Sequence, residues 1–291
     1  MENKSNTYDG TFMSAVLSEA DFRRLGELIY AEAGIKMPLQ KKVMLEARLK
    51  KRLRATGIKS FHEYCEYLFS TEGKEQELIR MIDVVTTNKT DFFREPRHFD
   101  YLADHAVPAL VELYGAGLRR EFSIWSAGCS TGEEPYTIAM VLNEFREDHP
   151  AFRFLILATD ICTKVLDKAM LGIYNQDKVE GIPMALKKKY LMKSRNSEKR
   201  LVRVVPELRA DVRFRRLNFM DEDFGMREPM DIIFCRNVII YFDKPTQERL
   251  LNRLCHHLVP GGYIFMGHSE TLSGLKVSLV SVGPMVYRKP V

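Results

Sequence analysis

FSIWSAGCSTGEEPY, residues 122–136, runs from an apolar stretch through a glycine-bearing turn into a helical pattern. Phe122, Ile124 and Trp125 supply the apolar lead. Gly128 and Gly132 bracket the turn, and Glu133 and Glu134 open the helix. A strand-to-helix turn of this kind points backbone N–H groups outward and often holds phosphates. Two carboxylates, however, stand where a phosphate would sit. Thr131 reads as a cap for the helix, with both glutamates favoured at its positive end. Capping does not exclude a ligand there.

Outward from this stretch the same alternation repeats. FLILATD, VRFRRLNF, DIIFCRN and GGYIFMGH are further apolar runs, mostly separated by helical patterns. Near-continuous apolar strands between helices predict a parallel sheet covered on both faces. A helix through Phe99, Leu102 and Leu110 comes first. The tail VSLVSVGPMVYRKP reads as two strands about a Gly-Pro turn, one of them closing the sheet edge antiparallel. Residues 183–211 break the alternation. They are rich in Lys and Arg, contain the short strand LVRVV, and read as a small inserted β-subdomain.

Before about residue 95 the pattern is helical throughout. Phe22, Leu25, Leu28 and Ile29 recur at helical spacing behind Ser18, and Gly34 ends that helix. A second helix is expected over Leu39 to Ala55, stopping at Gly57. A third starts at Ser60 with Glu63 three residues on, a capping-box pattern. A fourth carries Leu78, Ile79, Ile82 and Val85. The expected organisation is a polar tail over 1–17, a helical domain with linker over 18–95, and an α/β domain over 96–291.

Composition sets the broad class. The chain has 291 residues, 45% hydrophobic and 29% charged, with a net charge of +5. That is ordinary for a globular protein, and the charge alone does not imply nucleic acid. Five scattered cysteines without a C-x-x-C pair argue against a disulfide framework or a structural zinc site, so no metal is expected. No signal peptide or membrane span is read from the sequence, and a cytoplasmic protein is expected.

In open α/β sheets ligands bind beyond the carboxyl ends of the strands. There this sequence places Gly128 to Glu134, Asp160, Asn218, Arg236 with Asn237, and His268 to Glu270. An acid at the end of the second strand, Asp160, suits both hydroxyls of a ribose, as in NAD or S-adenosylmethionine. A pyrophosphate requires G-x-G-x-x-G. Here the spacing is G-x-x-x-G, followed by carboxylates that would repel it. Those carboxylates suit the cationic ammonium of S-adenosylmethionine. TTNKTDFFREPRHF, residues 86–99, is dense in polar groups and is expected to join the domains, a common ligand position. From Lys36 to Lys59 nine Lys or Arg residues face one acid, Glu46. Lys41, Arg48 and Arg52 recur at helical spacing. Such a face suits an acidic partner or nucleic acid, unless it is only a solvated surface.

TTNKTDFFRE, SAGCSTGEEPY, ATD, FCRNVIIYFD and GGYIFMGHSE, in this order, resemble the chemotaxis receptor glutamate methyltransferases, the CheR-type family. The likeness runs from about Leu17 to Tyr287. It implies a class I S-adenosylmethionine-dependent methyltransferase domain (Rossmann-like) behind an all-helical domain. It implies methyl transfer from S-adenosylmethionine to glutamates of bacterial chemoreceptors, leaving S-adenosylhomocysteine. Implied cofactor contacts are Asn88, Thr90, Arg94, Glu134, Asp160, Asn218, Phe219, Arg236 and Asn237, with Arg94 and Tyr241 near the transfer point. Implied receptor contacts are Lys41, Arg48, Lys51, Arg52 and Arg54, for the cytoplasmic helical domain of methyl-accepting receptors. Some members also dock a receptor C-terminal peptide on the β-subdomain, through a glycine-rich loop. Here Lys193 to Arg200 lacks glycine, which argues against tethering. A monomer is expected.

Three rivals share parts of this pattern. A nucleic-acid methyltransferase would use the same cofactor, but Arg236 to Tyr241 lacks the proline pair of an N/D-P-P-Y-like turn. A non-catalytic cofactor-binding module would not need the full set of site residues. An NAD oxidoreductase is opposed by the glycine spacing.

Overall fold

The computed structural model describes residues 15–291, so most of the tail expected over 1–17 lies outside the described residues. The chain divides between Thr87 and Asn88, earlier than the expected point near residue 95. NKTDFFRE after Thr87 therefore belongs to the second unit.

The first unit is helical. α1 (Glu19–Ala33) begins at Ser18, whose side chain accepts from the Asp21 N–H, and ends at Gly34. α2 (Lys42–Thr56) follows a 3-10 turn over Leu39–Lys41. α3 (Phe61–Phe69) is capped by Ser60, which accepts from the Glu63 N–H. α4 (Thr71–Gln76) is an additional short helix, and α5 is Leu78–Val85. Phe22, Leu25, Ile29, Leu45, Leu49 and Met81 are buried in this unit.

The second unit opens with α6 (Arg97–Tyr101), a π-helical turn over Leu102–Ala106, and α7 (Val107–Tyr114). Then come β1 (Phe122–Ala127), α8 (Glu133–Asp148), β2 (Phe154–Asp160) and α9 (Thr163–Leu171). β3 (Ile173–Asn175), α10 (Met184–Tyr190), β4 (Leu191–Lys193), β5 (Leu201–Val204) and α11 (Pro206–Ala210) form the inserted region. β6 (Val212–Arg216), β7 (Met230–Cys235), α12 (Lys244–His256), β8 (Leu258–Met266), β9 (Val280–Gly283) and β10 (Val286–Arg288) complete the chain.

The large sheet has seven strands in the order β6-β2-β1-β7-β8-β10-β9. β6, β2, β1, β7 and β8 run parallel, and β10 and β9 close one edge antiparallel. The chain winds outward from β1 to β6, then crosses back to β7. The switch point therefore lies between β1 and β7, where open sheets leave a crevice beyond the strand ends. Phe122, Ile124, Ile156, Ile232 and Phe234 are fully buried, as strands covered on both faces require. Phe234 and Phe265 stack with ring centroids 4.4 Å apart.

The insertion is a three-stranded antiparallel sheet, β3-β5-β4. Its first strand starts at Ile173, ahead of the 183–211 span expected from sequence.

Candidate functional site

Beyond the carboxyl end of β1 the backbone turns through Gly128 (φ 85°), Ser130 (φ 49°) and Gly132 (φ 93°). Each of these φ values lies in the left-handed region, which glycine enters without a Cβ penalty. The turn carries Ser130 to Asp160 at the end of β2. The Ser130 N–H donates to Asp160 Oδ2 at 2.8 Å, and the Cys162 N–H donates to Oδ1 at 2.9 Å. The Ser130 hydroxyl donates to the Asn88 carbonyl at 3.0 Å. Asn88, Ser130 and Asp160 thus meet at one point.

Glu134 lies in the first turn of α8 and is 8% exposed. Its Oε1 accepts from the Ser126 hydroxyl at 2.7 Å, and its Oε2 accepts from Arg236 Nε at 2.7 Å. Arg236 leaves the end of β7 and is itself buried. Its Nη1 donates to the Arg94 carbonyl at 2.7 Å and faces His98 Nδ1 at 3.2 Å. Glu95 Oε2 lies 3.6 Å from the same nitrogen. His98 Nε2 faces the Pro284 carbonyl at 3.3 Å. That ring is neutral, with Nε2 donating to the carbonyl and Nδ1 accepting from the guanidinium. Burial, then the Arg236 charge, push its pKa down to about 4. The Phe93 N–H donates to the Thr137 hydroxyl at 3.2 Å, so the 88–95 segment is stitched to α8 as well.

The adenine-side residues expected from sequence lie in the loop after β6. Asn218 Oδ1 accepts from the Met220 N–H at 3.0 Å, a side-chain turn that fixes the loop. The Phe219 ring lies 6.3 Å from Trp125, and its carbonyl accepts from Arg253 Nη1 at 2.9 Å. Asn237 is half-buried with φ 58°. Tyr241 ends the 3-10 turn Ile239–Tyr241 and is half-buried, as is Thr90. Arg94 is half-buried, and its Nη1 donates to the Lys89 carbonyl at 3.2 Å. Lys178 pairs with Asp91 at 3.1 Å beside a cleft of about 600 Å³, lined also by Phe92, Asn175 and Asp177.

For several residues here the place was legible in the sequence but the role was not: Glu270 beyond a strand end, Glu95 and His98 in the 86–99 segment. Glu270 gathers four backbone N–H groups, those of Gly267, Asn237, Val238 and Ile239. His98 and Glu95 flank Arg236. Of the six non-glycine residues with positive φ among the described residues, Phe93, Glu95, Ser130 and Asn237 are at this wall. Such strain concentrates where surrounding structure fixes a functional geometry.

One expectation is corrected. Thr131 does not cap α8. The cap position is Gly132, and the Thr131 hydroxyl donates instead to Glu133 at 2.6 Å. Glu133 is 2% exposed and its pKa is raised by burial, so it is an internal partner for Thr131. Arg236, expected among the cofactor contacts, has a side chain that is 3% exposed and bonded to Glu134 and the Arg94 carbonyl.

A second correction concerns the basic helix. Arg52 was expected on a receptor-facing surface, and it is 7% exposed. Its Nε and Nη2 donate to the two Glu77 oxygens at 2.6 and 2.7 Å, and the Tyr64 hydroxyl donates to Glu77 at 2.8 Å. Arg52 follows Leu49 by three residues and Leu45 by seven, so it shares their inward stripe. Arg48 is half-buried and donates to the carbonyls of Val85 and Thr86 and to the Thr87 hydroxyl. Lys41 Nζ donates to the Lys36 carbonyl at 3.2 Å. Lys51 and Arg54 are exposed, on the same side as Val43 and Ala47.

Two family models match the chain: "CheR methyltransferase, SAM binding domain" over residues 88–285, and "CheR methyltransferase, all-alpha domain" over residues 20–86. The chain belongs to the CheR methyltransferase family. The family boundary falls where the structure divides. A "Chemotaxis protein methyltransferase" of Borreliella burgdorferi is 40% identical over 286 residues, 98% of this chain and 99% of that protein. One from Escherichia coli is 41% identical over 273 residues, covering 93% of this chain and 91% of that one. "Chemotaxis protein methyltransferase 2" of Pseudomonas aeruginosa is 41% identical over 268 residues, 92% of each chain. The α/β domain with its mostly parallel sheet and the all-helical first unit are what the family resemblance implied.

Proposed function

We propose that this CheR family member transfers a methyl group from S-adenosylmethionine to glutamate carboxylates of bacterial chemoreceptors, forming methyl esters. The observation that carries the reading is the wall at the β1/β7 switch point. There the Asn88 carbonyl and Asp160 meet at Ser130, and Glu134 pairs with Arg236. Asn237 is next to Arg236, and the Asn218–Phe219 loop follows Leu217, whose N–H donates to the Asp160 carbonyl. The chain is alike over nearly its whole length to chemotaxis protein methyltransferases. The donor set fits the cofactor. Asp160, fixed by two backbone N–H bonds, would accept from the ribose hydroxyls. The Glu134–Arg236 pair balances its own charge. It therefore suits the zwitterionic amino acid end of the cofactor better than a bare cation or a pyrophosphate. Asn218 and Phe219 would flank the adenine, and Asn88, Thr90 and Asn237 complete the wall.

When bound, the cofactor supplies an electrophilic methyl on a sulfonium. The acceptor needs no base, because a glutamate with a pKa of about 4.3 is already ionised at neutral pH. What remains for this chain is alignment and exclusion of water. Arg94 would fix negative charge at the site, and the Tyr241 hydroxyl would orient the incoming carboxylate. On the first unit, Lys51 and Arg54 lead the docking of an acidic receptor helix, with Lys41 and Arg48 at its margin. The protein acts as a cytoplasmic monomer on the receptor's helical domain, without the peptide tether and without nucleic acid.

The test combines the protein, methyl-labelled S-adenosylmethionine and a receptor cytoplasmic fragment. Base-labile label on receptor glutamates is the expected result. Label on RNA or DNA, or on nothing, would overturn the reading.

A further inference from the structure

The carboxylate of Glu270 has no place in the scheme above, yet it is among the most completely bonded groups in the second unit. It is 2% exposed. Oε2 accepts from the Gly267 N–H at 2.7 Å and from the Asn237 N–H at 2.8 Å. Oε1 accepts from the Val238 N–H at 2.7 Å and the Ile239 N–H at 2.8 Å. Two oxygens offer about four acceptor positions, so these bonds use the acceptor capacity of an ionised carboxylate. One partner follows β8, and three follow β7. The side chain therefore closes the gap between two adjacent strand ends at the edge of the candidate site.

The three β7 partners form the turn that carries Asn237 and Tyr241. Asn237 has φ 58°, a conformation that a non-glycine residue keeps only where the surrounding structure imposes it. The turn then tightens, with the Tyr241 N–H donating to the Val238 carbonyl at 3.3 Å. Gly267 brings the two strand ends together. A Cβ there would meet Asn237 Nδ2 at 2.4 Å and its backbone nitrogen at 2.9 Å. A side chain reaching back from beyond Gly267 satisfies the three successive N–H groups at this point.

We infer that Glu270 is a positioning residue for methyl transfer: its carboxylate fixes the Asn237–Tyr241 turn and so sets where the Tyr241 hydroxyl meets the acceptor carboxylate. This rests on the methyltransferase reading. Glu270→Gln is the sharpest change, because it keeps the size and replaces one acceptor oxygen by an NH2 that opposes an N–H. Glu270→Asp keeps the charge and shortens the reach, and serves if the glutamine variant does not fold.

The experiment compares each full-length variant with the wild type in three readouts. These are amide hydrogen exchange over residues 237–239, S-adenosylhomocysteine affinity by calorimetry, and turnover on a receptor fragment. Exchange at 237–239 should rise, and turnover should fall about tenfold to a hundredfold, the scale of a lost charge-assisted hydrogen bond. Affinity should fall by less. The turnover loss should shrink when Glu270→Gln is introduced into Tyr241→Phe, because contacting groups that act together are not additive. Unchanged exchange, unchanged turnover, or an equal loss in the Tyr241→Phe background overturns the inference. A wild type that methylates no receptor fragment, with exchange still raised in Glu270→Gln, fails the functional reading and leaves the anchoring of the turn intact.

Discussion

Arg52 and Lys51 are neighbours in sequence with opposite fates, and the difference is set by one position on a helix. Arg52 lies on the stripe of Leu45 and Leu49 and is held by both oxygens of Glu77, which is 1% exposed. Removing one partner of a buried pair leaves the other charge stranded, which costs about 3–5 kcal/mol. Arg52→Ala should therefore lower the unfolding free energy of the protein by about that amount in a urea titration. Lys51→Glu should leave the titration within about 0.5 kcal/mol, as surface substitutions do, and lower receptor methylation instead. Loss of methylation without loss of S-adenosylhomocysteine affinity would place Lys51 on the docking surface; equal loss of both would remove it. Tyr241→Phe asks a similar question of the second unit. It keeps the ring and removes the hydroxyl, so turnover should fall about threefold to tenfold while S-adenosylhomocysteine affinity holds. Weakened affinity with normal turnover would reassign Tyr241 to the cofactor.

At the scale of elements, what could be read from the chain followed from how completely each element is buried. β1, β2, β7 and β8 are covered on both faces, so their apolar runs stood out, and the parallel sheet was legible. α4 was not, because TEGKEQ is polar and only its Gly73 is buried. A Cβ at Gly73 would meet the Tyr67 carbonyl oxygen at 1.9 Å, so the residue is fixed by a close approach that has no sequence period. Of the candidate site, Asp160 and Glu134 could be read because a strand end and a helix start give their positions. Glu270 and His98 could be placed, at a strand end and in the 86–99 segment, but their roles could not be read, since those come from what the side chains fold back upon. His98 offers a test through pH. It faces Arg236, Glu95 and His268, and its pKa of about 4 lies below the ordinary 6.5. A group with a lower pKa when folded binds fewer protons in the folded chain. Folded stability therefore falls as pH drops from about 6.5 towards about 4. The melting temperature of the wild type should fall across that window, and His98→Gln should show a shallower fall. Parallel curves would mean that the ring takes up its proton without penalty.

For the whole molecule, the two units carry different kinds of interaction, and salt should separate them. The first unit presents Lys51 and Arg54 in a stretch of nine cations against one acid. Attraction between exposed charges is screened over about 8 Å at physiological ionic strength and over about 3 Å at 1 M. The second unit holds its wall by buried contacts such as Glu134 with Arg236, which salt screens much less. Trp125, the single tryptophan, reports on that wall. It is fully buried, its Nε1 donates to the Thr159 hydroxyl at 2.9 Å, and Phe219 and Phe224 stand 6.3 and 5.6 Å from it. Ligand seated against Phe219 should change its emission. Titration of S-adenosylhomocysteine followed by Trp125 fluorescence should give nearly the same affinity from 50 mM to 500 mM salt. Over that range the KM for a receptor fragment should rise about tenfold or more, as expected for association steered by opposite charge. Lys51→Glu should flatten the rise. A cofactor affinity that tracks salt as steeply as the receptor KM would put the basic residues at the cofactor rather than at the receptor.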